Sequence, residues 1–297
     1  MFFDTFTLET VALGEVRLRV RHGGHGPPVL LLHGHPRTHA TWHRVAPLLA
    51  ARFTVICPDL RGYGRSSKPA PGPGHAAYAK RAMAADMQAL MDTLGHDRYA
   101  VVGHDRGAYV AFRLAMDQPG RVSRLAVLDA VPIGDALARC DAHFATRWWH
   151  WFFYAQPERP EQAILADPLA WYRAAEQAAQ MDTPAYADFV EAIRDPATVS
   201  AMLADYRAGL GVDRAHDDAD RAAGRRLACP VLALWAGRDD LAELHGDVLA
   251  VWRRWADEVQ GGSLDCGHHL AEERPQELAE ALLAFLDPGA APPPARP

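Results

Sequence analysis

Apolar positions along this chain follow two rhythms. Short β-type runs lie at Val16–Arg21, Val29–His33, Thr54–Pro58, Ala100–Gly103, Leu125–Asp129 and Val231–Trp235. Between several of them the period lengthens to that of a helix, as over Tyr78–Leu94 and Ala108–Asp117. Strands alternating with helices predict an α/β protein with a mostly parallel, doubly wound sheet covered on both faces. The alternation stops from about Ile133 to Leu227, where the pattern is helical and aromatic, with Trp148, Trp149, Trp151, Phe152, Phe153, Tyr154, Trp171, Tyr172, Tyr186 and Tyr206. The expected organisation is therefore a core over residues 1–132, a helical cap over 133–227, a second core segment over 228–287, and a tail over 288–297. The second core segment ends in an amphipathic helix from about Pro275 to Leu286, and the tail, with five prolines and no period, is expected to be disordered.

Composition narrows the function. With 297 residues, 49% hydrophobic and 23% charged, the chain can bury a large core. A net charge of −6 argues against nucleic acid, although a local arginine can still attract a small anion. No apolar run approaches the ~18 residues of a membrane span, and Met1-Phe-Phe-Asp4 lacks a basic segment before an apolar stretch, so a signal peptide is not expected. Cys57, Cys140, Cys229 and Cys266 are scattered without a CxxC, which reads as reduced thiols and a cytoplasmic location. His33, His35, His39 and His43 crowd one segment. No acidic residue lies between His39 and His43 as in HExxH, and His33 lies where an oxyanion loop is needed, so no metal is expected.

The chemistry centres on Gly103-His-Asp-Arg-Gly107, which follows one apolar run and opens a helix. Strand, tight glycine turn and helix are the context of a nucleophile elbow. The presented residue is Asp105. A carboxylate that displaces a leaving group from saturated carbon leaves an ester, which water can hydrolyse; a serine would leave an inert ether. Asp105 therefore points to carbon–halogen or epoxide carbon–oxygen cleavage. The plainer reading is a turn in which Asp105 caps the next helix. Against it stands His33-Gly-His-Pro36 after an early strand, where such a fold takes the second amide of an oxyanion hole. The backbone N–H groups of His35 and Arg106 fit that role. Near the end, Gly267-His268-His269 precedes the last helix, the place for the base; His268 follows the turn glycine and is preferred, with His269 a neighbour pointing away. Its orienting acid is Asp129 or Asp239, both at strand ends.

With these motifs the chain resembles the haloacetate (fluoroacetate) dehalogenases of the α/β-hydrolase superfamily. The resemblance runs from His33-Gly-His-Pro36 through Asp59-Leu-Arg-Gly-Tyr-Gly-Arg-Ser-Ser-Lys-Pro69, the elbow and Leu128-Asp-Ala-Val-Pro132 to Gly267-His268. In the cap it rests on Trp149-His-Trp151 with Gln156-Pro157, and on Asp205-Tyr-Arg-Ala-Gly209. It implies a cofactor-free hydrolytic dehalogenase acting on short 2-halo acids with inversion. Asp129 would be the acid, and His150, Trp151 and Tyr206 the donors to the departing halide. It implies further that Arg106 holds the substrate carboxylate. The family's second arginine, three positions on, is Tyr109 here, and His35 replaces its usual aromatic. Arg37 is either a solvated loop arginine or a substitute for the missing charge. The expected partner is a small halogenated carboxylate, without nucleic acid or membrane, and a homodimeric assembly is left open. Two rivals stand: an epoxide hydrolase with the same nucleophile, and a non-catalytic ligand-binding protein of this fold.

Overall fold

The computed structural model describes residues 2–287, so the tail expected to be disordered lies outside the described residues. Eight strands form one sheet in the order β1-β2-β4-β3-β5-β6-β7-β8. They are β1 (Thr7–Leu13), β2 (Val16–Gly24), β3 (Pro28–Leu32), β4 (Thr54–Pro58), β5 (Tyr99–His104), β6 (Val122–Leu128), β7 (Val231–Ala236) and β8 (Val259–Leu264). Pairings β1–β2 and β2–β4 are antiparallel, and the rest are parallel.

The apolar runs are unbroken because both faces of the central strands are buried. Along β3, Leu30 and Leu32 pack on one face with Val101 and Val110, while Val29 and Leu31 pack on the other with Val102 and Leu278. Helices α1 (Lys80–Thr93) and α2 (Arg106–Asp117) cover the first face, and α5 (Pro275–Leu286) the second. Strands β1 and β8 are absent from the pattern read above. Both are sheet edges: β1 is largely exposed, and β8 carries Gly261 and Gly262 in place of apolar residues.

Between β6 and β7 the described residues form helices only, beginning at Ile133 and ending at Ala222. Two of these line the site, α3 (Trp149–Tyr154) and α4 (Pro196–Ala208). Among the described residues no helix is long and apolar enough to cross a membrane.

The chain leaves β3 to one side, for β4, and returns on the other, for β5. The loops after β3 and β5 therefore diverge above a crevice at the carboxyl ends of the strands, where ligands bind in open α/β sheets.

Candidate active site

Strand β5 ends at His104 and α2 begins at Arg106, so Asp105 alone turns the chain, at φ 49° and ψ −119°. A non-glycine residue at positive φ is strained by about 1–3 kcal/mol and persists only when its surroundings fix it. Here the surroundings are glycines. A Cβ on Gly103 would lie 2.3 Å from the carbonyl oxygen of Gly107, and one on Gly107 would lie 2.4 Å from that of His33. Gly34 makes room for the carboxylate itself: a Cβ there would come within 2.5 Å of Asp105 Oδ1. The side chain of Asp105 does not cap α2. Its Oδ1 instead accepts the N–H of His35 at 2.7 Å. Burial would raise the pKa of Asp105, but His268, His104, Arg106 and the Arg106 amide together hold it below the usual carboxylate value. The carboxylate is thus ionised, with Oδ1 held by the His35 amide and its charge favoured by the Arg106 amide as well.

His268 sits beside it. Its Nδ1 lies 2.7 Å from Asp129 Oδ2 and 3.2 Å from Asp239 Oδ2. Both candidate acids therefore reach the same nitrogen. Burial alone would lower the pKa of His268, but hydrogen bonds to Asp129 and Asp239 and the charge of Asp105 raise it well above the ordinary value. His269 engages neither acid, and its Nδ1 is buried without a partner. It does border the cavity, so it does not point away as its sequence position implied.

These groups open into a cavity of about 260 Å³, smaller than the ~300–1,000 Å³ of drug-sized ligand sites. Opposite Asp105 the helical insertion contributes His150, Trp151 and Tyr206, and α2 contributes Tyr109. Neither the imidazole of His150, the indole N–H of Trp151, nor the hydroxyls of Tyr206 and Tyr109 hydrogen-bonds to a described residue. Burial holds His150 down to about 4 and keeps the Tyr206 phenol well above its usual pKa. Four uncharged hydrogen-bonding groups thus converge on the space in front of one carboxylate. Trp148 also lines the cavity, and its indole donates to Asp240 Oδ1 at 2.8 Å.

Two side chains depart from expectation. The guanidinium of Arg106 was expected to face the substrate, yet it is buried and turned to the insertion. Its Nε lies 3.0 Å from Asp205 Oδ2, and its Nη2 reaches the Oδ1 and backbone oxygen of the same residue. Asp205 also accepts from Tyr63 at 2.7 Å and from Lys80 Nζ. Arg106 sits behind the cavity wall, its Cζ 4.2 Å from the ring centroid of Tyr206, 5.3 Å from that of Tyr109 and 5.8 Å from that of Trp151. Asp205 belongs to the Asp205-Tyr-Arg-Ala-Gly209 motif, but nothing in its position along the chain tells which arginine it meets. Arg37, for its part, is neither solvated nor in the cavity. It forms a buried bidentate pair with Glu272 at 2.9 Å and stacks on Phe189.

The crowded histidines separate. His39 pairs with Asp59 at 2.7 Å, His43 bonds the Ala40 carbonyl, and His33 Nε2 accepts from Leu60 N–H. Potential metal-binding atoms lie within 4.8 Å of one another in His104–His268–His269, His39–Asp59–Asp188 and Asp129–Asp239–His268. In the last two clusters the atoms already bond to each other.

Comparison with known proteins follows the same lines. Residues 27–275 match the family described as the alpha/beta hydrolase fold. The chain is 40% identical to a fluoroacetate dehalogenase from Burkholderia sp, over 96% of this chain and 95% of that protein. It is 33% identical to a soluble epoxide hydrolase from Corynebacterium sp. (strain C12), over 92% and 94%. Among solved structures, a putative alpha/beta hydrolase from Nostoc sp PCC 7120 superposes with a TM-score of 0.92 at 44% identity, covering 96% of this chain and 99% of that one.

Proposed function

The chain belongs to the haloacetate dehalogenase family of the α/β-hydrolase superfamily, and on that premise we propose that it hydrolyses the carbon–halogen bond of short 2-halo carboxylic acids. The observation that carries this reading is the ionised carboxylate of Asp105 facing the uncommitted donors His150, Trp151 and Tyr206 across a small cavity.

Each step follows from an atom's position. Oδ1 of Asp105 is held by His35, which leaves Oδ2 to attack the α-carbon. The carbon–halogen bond breaks as the ester bond forms, and the halide leaves with the bonding pair toward the three donors. Donors fixed in advance act on charge only as it develops, which lowers the barrier without tightening the ground state. His268 Nε2 then takes a proton from water, and the resulting hydroxide adds to the ester carbonyl. The new oxyanion forms at Oδ1, already bonded to the amide of His35, with the amide of Arg106 as its second donor. Collapse breaks the ester carbon–oxygen bond, His268 gives its proton to the departing alkoxide, and the proton left on Asp105 passes to solvent. Asp105 is restored as a carboxylate and the 2-hydroxy acid leaves, inverted at the α-carbon by the first step.

Arg106 gives most of its hydrogen bonds to Asp205, so the substrate carboxylate is received mainly by the Tyr109 hydroxyl, with the Arg106 charge behind it. A charge-assisted contact is worth about 1.5–3 kcal/mol, and Tyr109 supplies one neutral donor where a guanidinium would add a second such contact and a full charge. Tyr109→Arg is therefore expected to lower KM for haloacetate roughly ten- to a hundredfold. Unchanged KM would mean that the carboxylate binds elsewhere. Gly34→Ala is expected to cut turnover about a hundredfold by displacing the Asp105 carboxylate, and to cost about 1–3 kcal/mol of stability, because the new Cβ would also lie 2.5 Å from the Cβ of Asp105. Full activity in that variant would mean that Asp105 need not sit where it does.

A second reading, epoxide hydrolysis, is favoured by the free hydroxyls of Tyr206 and Tyr109, either of which could protonate an alkoxide. The deciding experiment is a halide-release assay across haloacetates and 2-halopropionates with an epoxide as control. Diol formation without halide release would exchange the two readings.

A further inference from the structure

An orienting acid is normally a single carboxylate on the nitrogen opposite the base. Here two carboxylates from neighbouring strand ends reach that nitrogen, Asp129 through a hydrogen bond at 2.7 Å and Asp239 through an ion-pair contact at 3.2 Å. Asp129 follows β6 and has φ 53°; its Oδ1 accepts the N–H of Ala236 at 3.1 Å, which leaves Oδ2 for His268. Asp239 follows β7, and its Oδ1 accepts the N–H of Asp240 at 2.9 Å, which again leaves Oδ2 for His268. In each residue one oxygen fixes the carboxylate and the other meets Nδ1. Strands β6 and β7 pair in parallel up to Leu128 and Leu234, so the two ends lie side by side.

We infer that Asp239 is a second positioning acid for His268, so that the imidazole is held by two carboxylates and either one alone can keep it oriented. The inference rests on His268 acting as the base in the reading above. The two acids are not equivalent. The side chain of Asp129 is 2% exposed and that of Asp239 is 32% exposed. Burial pushes the pKa of Asp129 up, whereas that of Asp239 is held down to about 2 by the bond and charge of His268, against its own burial. Asp239 thus stays ionised where Asp129 is the costlier anion. Its loop is fixed to the helical insertion through Trp148 and Asp240.

Two anions on one imidazole hold its proton strongly, and a base must first be neutral. The other groups facing His268 are Asp105, Asp240, His104, His150 and His269. Of the anions, only Asp105 loses its charge during the reaction, on forming the ester. The imidazolium is thereby relieved of one anion when a base is required. Removing Asp239 should relieve it further. The His268 pKa then falls, and the acid limb of kcat moves to lower pH.

The test compares Asp129→Asn, Asp239→Asn and the double variant. Each single variant is expected to keep about a tenth or more of wild-type kcat, while the double variant falls about 10⁴-fold. In Asp239→Asn the acid limb should move down by roughly one pH unit, and NMR titration of the His268 ring proton should move the same way. An Asp129→Asn rate as low as that of the double variant, or an unmoved limb and titration in Asp239→Asn, would make Asp239 a bystander. If Asp129→Asn fails to fold, the partly exposed Asp239 still provides its own arm. The titration needs no substrate, so it decides the role of Asp239 even if no haloacid is turned over.

Discussion

Asp105→Asn is expected to release no halide above background, and His268→Gln to release one halide per active site and then stop. An amide cannot displace a halide as a carboxylate does, and the cavity offers no other placed nucleophile on the elbow. The loss should be on the order of 10⁴-fold or more. His268 serves a later step, so its loss leaves alkylation intact and strands the ester. Intact mass of His268→Gln after incubation with haloacetate should rise by one carboxymethyl group, and peptide mapping should place it on Asp105. Continuous turnover in His268→Gln would remove His268 as the base. Trapping by His269→Ala instead would transfer the role to the neighbour whose Nδ1 is unpartnered.

Asp205→Asn is expected to be among the most destabilising single changes in the molecule. Asp205 is fully buried and takes hydrogen bonds from Arg106, Lys80 and Tyr63. Its removal as an anion leaves two buried cations, with only Asp213 at 3.5 Å from Lys80 to balance them. Breaking a buried pair in this way costs about 3–5 kcal/mol, or on the order of 10 °C in Tm for a chain of this size. Removing the orphaned charge as well, in Asp205→Asn/Arg106→Met, should recover part of that loss, because the two sites are directly coupled. In the folded fraction of Asp205→Asn the guanidinium is free to turn toward the cavity, and KM for haloacetate should fall. A Tm within about 2 °C of wild type would mean that this contact does not hold the insertion to the core.

The candidate site was legible where chemistry and chain order coincide. Asp105 between Gly103 and Gly107, His35 after β3 and His268 before the last helix each occupy a place that this topology reserves for a function. Their conjunction in the cavity follows from strand ends on one side of one sheet. His150, Trp151 and Tyr206 needed the resemblance, since an aromatic in a helical segment has no mark that separates a cavity wall from a core. Strands β1 and β8 were missed because an edge strand is only half covered and need not carry an apolar run. Arg106 and Arg37 were misread for one reason. A long cation can reach many acids, and no local pattern says which of Asp205 or Glu272 lies within its reach.

By itself the sequence determined the layered α/β architecture, the elbow turn and the chain order in which Asp105, Asp129 and His268 follow one another. These depend on short-range periodicity, on glycines where backbones must touch, and on residues fixed to strand ends. Only the tertiary structure decided where the charges pair. Asp129 and Asp239 lie 110 residues apart, yet they meet on one nitrogen because β6 and β7 are neighbours in the sheet. Arg106 is drawn from the cavity because Asp205 reaches it from the helical insertion. Electrostatic partnership depends on distance in space, and that distance is set by how the elements pack.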